Sequence, residues 1–150
     1  MSKKTAALIA LILVSPVIIY FLWPTDEARI RRLFREGAGA VENKKIEDVM
    51  SKISFNYTDD HSLSYLAIKE LMKRSFERMN NIKVEYGLKD IVISDKTASV
   101  GMDIRVIATY DKDTGYVVGD AARPVRVKFF LEKERTTWLV TRTEGLDIGH

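Results

Sequence analysis

The residues with the clearest chemical potential lie near the carboxyl end of the chain, in a segment of alternating side chains. Arg142 and Glu144 follow Trp138 and Val140 at two-residue spacing, so a strand would place all four on one face. A carboxylate and a guanidinium on an inner face could act together on a bound molecule. Because buried charges are costly unless paired, a self-satisfied ion pair at the rim is the favoured interpretation, and a working site is the alternative.

Three aromatic residues give a second candidate site. Tyr57, Tyr86 and Trp138 could line an apolar cavity and present hydroxyl and indole donors to a ligand. The same side chains also suit ordinary core packing, which is the favoured interpretation.

Other charged residues are directed away from the core by strand alternation. Asp103 and Arg105 flank Ile104, whose side chain takes the inner face, so the two charges should form a surface ion pair. The same parity places Arg126 and Lys128 outside.

The sequence contains few groups that could hold a metal. His61 follows Asp59 and Asp60, but adjacent polar residues before a helix are typical of turn and capping interactions. The only other histidine is His150, and the chain has no cysteine. The loop that begins at Asp111 has Tyr116 where a calcium loop needs glycine. We therefore expect neither a metal nor a cofactor.

An uncharged run from Thr5 to Trp23 precedes these elements. Its 19 residues would form a helix about 28 Å long, close to the hydrocarbon thickness of a bilayer. The run is longer than a signal-peptide core and ends in bulky residues instead of a small-residue cleavage site. We expect an uncleaved membrane anchor over residues 1–24, followed by one domain over residues 25–150.

Charge gives conflicting evidence on topology. Lys3 and Lys4 resemble the positive start of a signal anchor, whereas four arginines follow the run and favour a cytoplasmic domain. Because long domains translocate with little regard to charge, we expect a cytoplasmic N-terminus and a domain outside the cytoplasm, periplasmic in a bacterium. The net charge of +3 falls to +1 without the two lysines, which gives no indication of nucleic-acid binding.

A helix should begin directly after the anchor, with Thr25 as its N-cap and apolar residues at helical spacing as far as Val41. Arg31, Arg32 and Arg35 lie on its opposite face. They either form a solvated face, as an i,i+4 pair between Glu27 and Arg31 suggests, or contact anionic lipid headgroups.

The remaining pattern predicts two more helices and then strands. A short helix covers Ile46–Ile53 and leads into a polar segment, and a longer helix follows Ser64. Strands are predicted over Ile82–Ser94, with a bulge at Gly87, and over Thr97–Tyr110, Val125–Leu131 and Thr137–Leu146, with a loop from Asp111 to Arg123. This order predicts an α+β fold in which helices cover one face of a curved antiparallel sheet.

The order of elements resembles the nuclear transport factor 2-like superfamily, also called SnoaL-like. The similarity covers about Asp26 to Leu146 and includes the closing segment Trp138-Leu139-Val140-Thr141-Arg142. It implies a cone-shaped fold of three helices on a curved antiparallel sheet. It also implies a pocket between them, where enzyme members place Asp, His, Tyr or Arg.

The favoured function is a non-catalytic, membrane-tethered domain that binds a protein partner or a small apolar ligand, as in an accessory subunit of a membrane complex. The outer sheet face is the predicted interface with a partner or a second copy, through Ile107, Phe130, Leu139 and Thr141. The alternative is an isomerase, dehydratase or hydrolase acting on an apolar substrate. Glu144 would then be the base, Tyr57 a hydrogen-bond donor and Arg142 the group that holds a developing anion.

Overall fold

The computed structural model describes residues 2–146, which form four helices and six strands; His150 lies outside this range. The elements in chain order are α1 (Lys3–Leu22), α2 (Asp26–Glu42), α3 (Ile46–Met50), β1 (Ile53–Asp59), α4 (Tyr65–Arg78), β2 (Met79–Ser94), β3 (Thr97–Tyr110), β4 (Asp113–Val118), β5 (Val125–Glu134) and β6 (Thr137–Glu144).

Helix α1 is the apolar N-terminal segment. It is long and apolar enough to cross a membrane, and none of its residues is buried against the rest of the chain. Signal sequences near an N-terminus pass the same test of length and composition. Trp23, Pro24 and Thr25 separate α1 from α2, whose N-cap is the Thr25 hydroxyl, which accepts a hydrogen bond from the Ala28 amide.

The sheet has the strand order β1-β6-β5-β3-β2, and β4 pairs with the end of β3 beyond the reach of β5. Strand β1 runs parallel to β6, and all the other neighbours are antiparallel. The fold is therefore the expected α+β arrangement with three helices on a curved sheet, but the sheet is mixed.

Two strands were missing from the sequence prediction. Strand β1 was expected to be an irregular segment, and its pairing depends on β6, which lies some 80 residues further along the chain. Strand β4 occupies part of the predicted loop and returns along β3 after a turn at Asp111, where φ is +57°. The bulges of β2 occur at Asn81 and Lys89, whereas Gly87 pairs regularly with Asp103.

Burial changes along the concave face of the sheet. At the start of β3, Ala98, Val100 and Met102 are almost completely buried, whereas Ile104 and Val106 further along are only half-buried. The buried half packs under Ile30 and Leu33 from α2. Ala108, near the end of β3, is buried again at 1% exposed, so the cone is filled where β3 begins and leaves open space beside Ile104 and Val106.

Candidate ligand cavity

A cavity of about 590 Å³ occupies the open half of the cone. Its walls come from α2, α4 and the concave face of the sheet, and they are mainly aliphatic and aromatic. Residues from each wall are Phe34, Gly37, Met72, Phe76, Ile104 and Val106. A concave, apolar space of this volume is typical of a small-molecule site.

The polar end of the cavity is remote from α1. Helix α2 starts beside the β5–β6 hairpin, where the Asp26 carboxylate accepts hydrogen bonds from Lys133 Nζ (2.9 Å) and Trp138 Nε1 (3.1 Å). Asp59, which lines the cavity, instead pairs with Thr143, six residues beyond Thr137 on β6. At about 3.3 Å per residue, this places the polar end of the cavity about 20 Å from the hairpin.

The polar groups of the cavity are concentrated at that remote end. Tyr57 and Thr143 are buried and line the cavity, together with Asp59 and Asp60. Burial raises the pKa of the Tyr57 hydroxyl, the nearby Thr143 side chain opposes the rise, and the two aspartates add to it. Tyr57 therefore remains protonated and can donate a hydrogen bond to a ligand.

The two aspartates also shape the turn that follows β1. Asp59 Oδ1 accepts hydrogen bonds from the backbone amides of His61 (2.9 Å) and Leu63 (2.8 Å), as the sequence predicted for a polar turn. Asp60 Oδ2 accepts from the Gly145 amide (3.3 Å), and its Oδ1 lies 3.8 Å from His61 Nε2. Within residues 2–146, no three His, Cys, Asp or Glu side chains are arranged to hold a metal ion.

Arg142 and Glu144 do not lie in the cavity, which corrects their predicted position on the inner face. Phe130 pairs with Arg142 and Leu131 with Val140, so Thr141 is an extra residue, a β-bulge. The bulge reverses the alternation, and Thr143 takes the inward position. Arg142 and Glu144 nevertheless form the ion pair that the favoured interpretation predicted, at 2.6 Å and with the arginine side chain half exposed.

The aromatic candidates separate into two groups. Tyr57 and Tyr86 line the cavity. Trp138 belongs to the closed end of the cone, where it is 3% exposed and bonded to Asp26, so it does not reach the cavity. The interpretation of Trp138 as a core residue is therefore correct, because Trp138 lies on β6 directly after the β5–β6 hairpin.

The outer sheet face is less apolar than the residue types suggest. Ile107, Phe130, Leu139 and Thr141 are all only half-buried. Two cations, Lys128 Nζ at 5.1 Å and Arg142 Cζ at 5.7 Å, lie over the Phe130 ring and shield it. The Thr141 hydroxyl donates to the Phe130 carbonyl.

The arginines of α2 lie on its exposed face. Arg31 pairs with Glu27 (3.0 Å) and Arg32 with Glu36 (2.9 Å), while Arg35 is exposed. The two ion pairs are those expected for a solvated helix face, because each arginine is already paired with a glutamate of the same helix. Asp103 is also a surface group, as expected, but its partners are Arg126 and Lys89 instead of Arg105.

Two features of the cavity were not recognised in the sequence. One is Thr143, which no local pattern identifies because its orientation depends on the bulge. The other is the run Gly37-Ala38-Gly39-Ala40 in the middle of α2. Glycine inside a helix costs about 1 kcal/mol relative to alanine, so this run was a detectable signal that the helix needs space on one side.

No protein-family model and no curated protein sequence matches this chain. Solved structures do match. A scytalone dehydratase-like protein from Novosphingobium aromaticivorans has a TM-score of 0.68 at 12% identity, over 79% of this chain and 80% of that one. An NTF-2 like protein of unknown function from Shewanella oneidensis has a TM-score of 0.59 at 15% identity, over 79% and 97%. The chain therefore has the nuclear transport factor 2-like fold.

A third match is Bd1075 of Bdellovibrio bacteriovorus, with a TM-score of 0.63 at 19% identity. It covers 77% of this chain but 38% of Bd1075. The fold thus occurs in an enzyme-like protein, in a protein of unknown function and as part of a longer chain. It does not by itself assign an activity to this protein.

Proposed function

We propose that this protein is a membrane-tethered binding domain whose cavity holds a small, largely apolar molecule. The observation that carries the proposal is the cavity of about 590 Å³, with mainly apolar walls and the buried Tyr57 and Thr143 among its few polar groups. An apolar space with a few convergent hydrogen-bonding groups is the usual form of a ligand site. Tyr57 and Thr143 would bind the polar group of the ligand, and the walls from α2 and α4 would surround its apolar body.

The tether in this proposal is α1, with the domain outside the cytoplasm. Because the polar end of the cavity is the end remote from α1, the polar group of the ligand would bind on the side of the domain that faces away from the bilayer. N-terminal sequencing of the membrane-bound protein tests the tether. Retention of the chain from its first residues supports an anchor, whereas a mature N-terminus after Trp23 would identify a cleaved signal.

The cavity can be tested by filling it from α2. A Cβ built at Gly37 has no atom within 4 Å, and Gly37 lines the cavity. The Gly37→Trp substitution would place a rigid two-ring side chain inside the cavity, in the space that a two-ring ligand would need. Gly39 is a matched control, because its Cβ position is equally open but does not line the cavity.

The experiment uses the full chain in phosphatidylcholine nanodiscs and the two-ring alcohol 2-naphthalenemethanol as the probe. Binding is measured by equilibrium dialysis and corrected with empty nanodiscs. The probe has the same two-ring shape as the introduced indole and would compete for the same apolar space, so Gly37→Trp should weaken binding at least about tenfold while Gly39→Trp binds like the unmodified chain. Equal binding by the two variants, or no binding by the unmodified chain, would contradict the proposal.

An enzyme is the second candidate, favoured by the similarity to the scytalone dehydratase-like protein and by Tyr57 with two carboxylates at one end of the cavity. The positions of Arg142 and Glu144 remove two of the three predicted catalytic groups. Asp59 or Asp60 would then have to act as the base, with Tyr57 as the donor.

Mass spectrometry of a small-molecule extract incubated with the full chain tests this candidate. A product of unchanged mass, or one lighter by a water molecule, should form with the unmodified chain and not with Gly37→Trp. The absence of any such product would leave binding as the function.

A further inference from the structure

The charges at the cavity indicate which class of ligand it takes. Three charged residues line the cavity, namely Lys52, Asp59 and Asp60. Lys52 is paired with Glu36 across a distance of 2.7 Å, so its charge is already compensated by a residue outside the lining. The two aspartates therefore dominate the field inside the cavity.

The negative charges of Asp59 and Asp60 are not compensated by an ion pair of this kind. Asp59 accepts two backbone amides and Asp60 one, and these bonds orient the carboxylates without cancelling their charge. The only salt-bridge partner of either carboxylate within residues 2–146 is His61, 3.8 Å from Asp60 and largely exposed. The nearby cation Arg142 is paired with Glu144 on the other face of β6.

The position of the two aspartates allows their charge to select among ligands. The carboxylates lie beside Tyr57 and Thr143, which are the groups placed to bind the polar part of a ligand. A charge carried there lies next to half-buried Asp59 and next to exposed Asp60, at the edge of an apolar space where electrostatic interactions are stronger than in water. A cleft with low-dielectric walls whose charged residues all have one sign attracts ligands of the opposite charge and repels ligands of the same charge.

We infer that the cavity selects amphiphiles with a cationic polar group, such as hydrophobic amines, over anionic ones such as fatty acids and aromatic carboxylates. The apolar walls accept the body of such a molecule, Tyr57 and Thr143 contact its polar group, and Asp59 and Asp60 supply the charge preference. This inference rests on the proposed function, because it assigns a ligand class to the same cavity.

Three probes of nearly equal shape test the inference: 2-naphthylmethylamine, 2-naphthalenemethanol and 2-naphthoate. They differ in charge at one position, and the nanodisc lipid, phosphatidylcholine, has no net charge. In the unmodified chain the amine should bind at least about tenfold more tightly than the carboxylate, with the alcohol between them. A carboxylate that binds as tightly as the amine would overturn the inference.

Variants that remove a negative charge test whether Asp59 and Asp60 cause the preference for the amine. Asp59→Asn and Asp60→Asn keep an oxygen that can accept the backbone amides, and the double variant should reduce the difference between amine and carboxylate to about threefold or less. Asp95→Asn is the control, because it removes the same charge in the β2–β3 hairpin at the closed end of the cone. Asp95 has a positive φ of 55°, a conformation that asparagine tolerates.

The outcomes distinguish the two proposals. If none of the three probes responds to Gly37→Trp, the cavity does not bind small molecules and the proposed function fails. If the alcohol responds to Gly37→Trp but the probes show no charge preference, the binding function stands and the inference fails. A preference that is lost equally in Asp95→Asn would assign it to the net charge of the protein, which also contradicts the inference.

Discussion

Asp26 joins the end of the domain next to α1 to its core, and its replacement should have an effect that depends on the chemistry of the substitute. The carboxylate follows the N-cap of α2 and accepts hydrogen bonds from Lys133 and Trp138 through the same oxygen. These hydrogen bonds lower the pKa of Asp26, and the bond from Lys133 has the larger effect. Trp138 is 3% exposed, so its indole N–H has little access to water.

The size of the effect follows from the groups left behind. In Asp26→Ala the buried indole N–H loses its acceptor, which costs about 1–3 kcal/mol. Loss of a carboxylate from the first turn of α2 adds about 0.3–1 kcal/mol. The Lys133 ion pair adds little because both side chains are partly exposed. We expect the free energy of unfolding to fall by about 2–3 kcal/mol in Asp26→Ala but by about 1 kcal/mol in Asp26→Asn, because the asparagine amide oxygen can still accept the hydrogen bond from the indole.

Urea unfolding of the full chain in nanodiscs, followed by circular dichroism, measures these free energies. Glu27→Ala is the control, since Glu27 is exposed and pairs only with Arg31 on the surface, so it should cost no more than about 0.5 kcal/mol. Because the folded pKa of Asp26 is depressed, its stabilisation is present above the unfolded pKa and is lost as the pH falls through the folded one. An alanine variant as stable as the asparagine variant would refute the role given to the indole bond.

Three further predictions concern the cavity and the core. Gly37→Ala should raise the free energy of unfolding by about 0.5–1 kcal/mol, because the added methyl group meets open space and favours the helix; a decrease in the thermal midpoint would show that this space is not open. Hydrogen bonds from Lys52 and Arg32 lower the pKa of Glu36 to about 2. Between pH 4.5 and about 2, the unmodified chain should therefore lose up to about 1 kcal/mol more stability than Glu36→Gln when both are unfolded in urea. Met102→Ala should cost about 2–4 kcal/mol in the same assay, and half-buried Ile104→Ala less, so equal costs would contradict a cone that is filled around Met102 and open beside Ile104.

The elements with a clear local pattern were predictable. Strand β3 covers Thr97–Tyr110 as predicted, and α2 extends only one residue past Val41. Both have apolar residues at the spacing of their own element, and α2 also has an N-cap, so no distant contact is needed to recognise them.

The predictions that failed depend on partners. Strand β1 exists because it adds to the edge of β6, and the sequence around Phe55, which is 83% exposed, has no inward alternation that would reveal it. Arg142 and Glu144 were assigned to the inner face by counting in twos from Trp138. One extra residue opposite β5 invalidates that count for every position after it.

The amino-acid sequence by itself determined the apolar N-terminal helix, the three helices of the domain, the α+β class and the inward residues of the regular strands, because these follow from local periodicity and capping. Only the tertiary structure decided which residues line the cavity and where its polar end lies. Those properties depend on the bulge at Thr141, on the parallel pairing of β1 with β6 and on the packing of α2 and α4 over the sheet. Each of these is set by packing between segments far apart in the chain, where no local pattern carries the information.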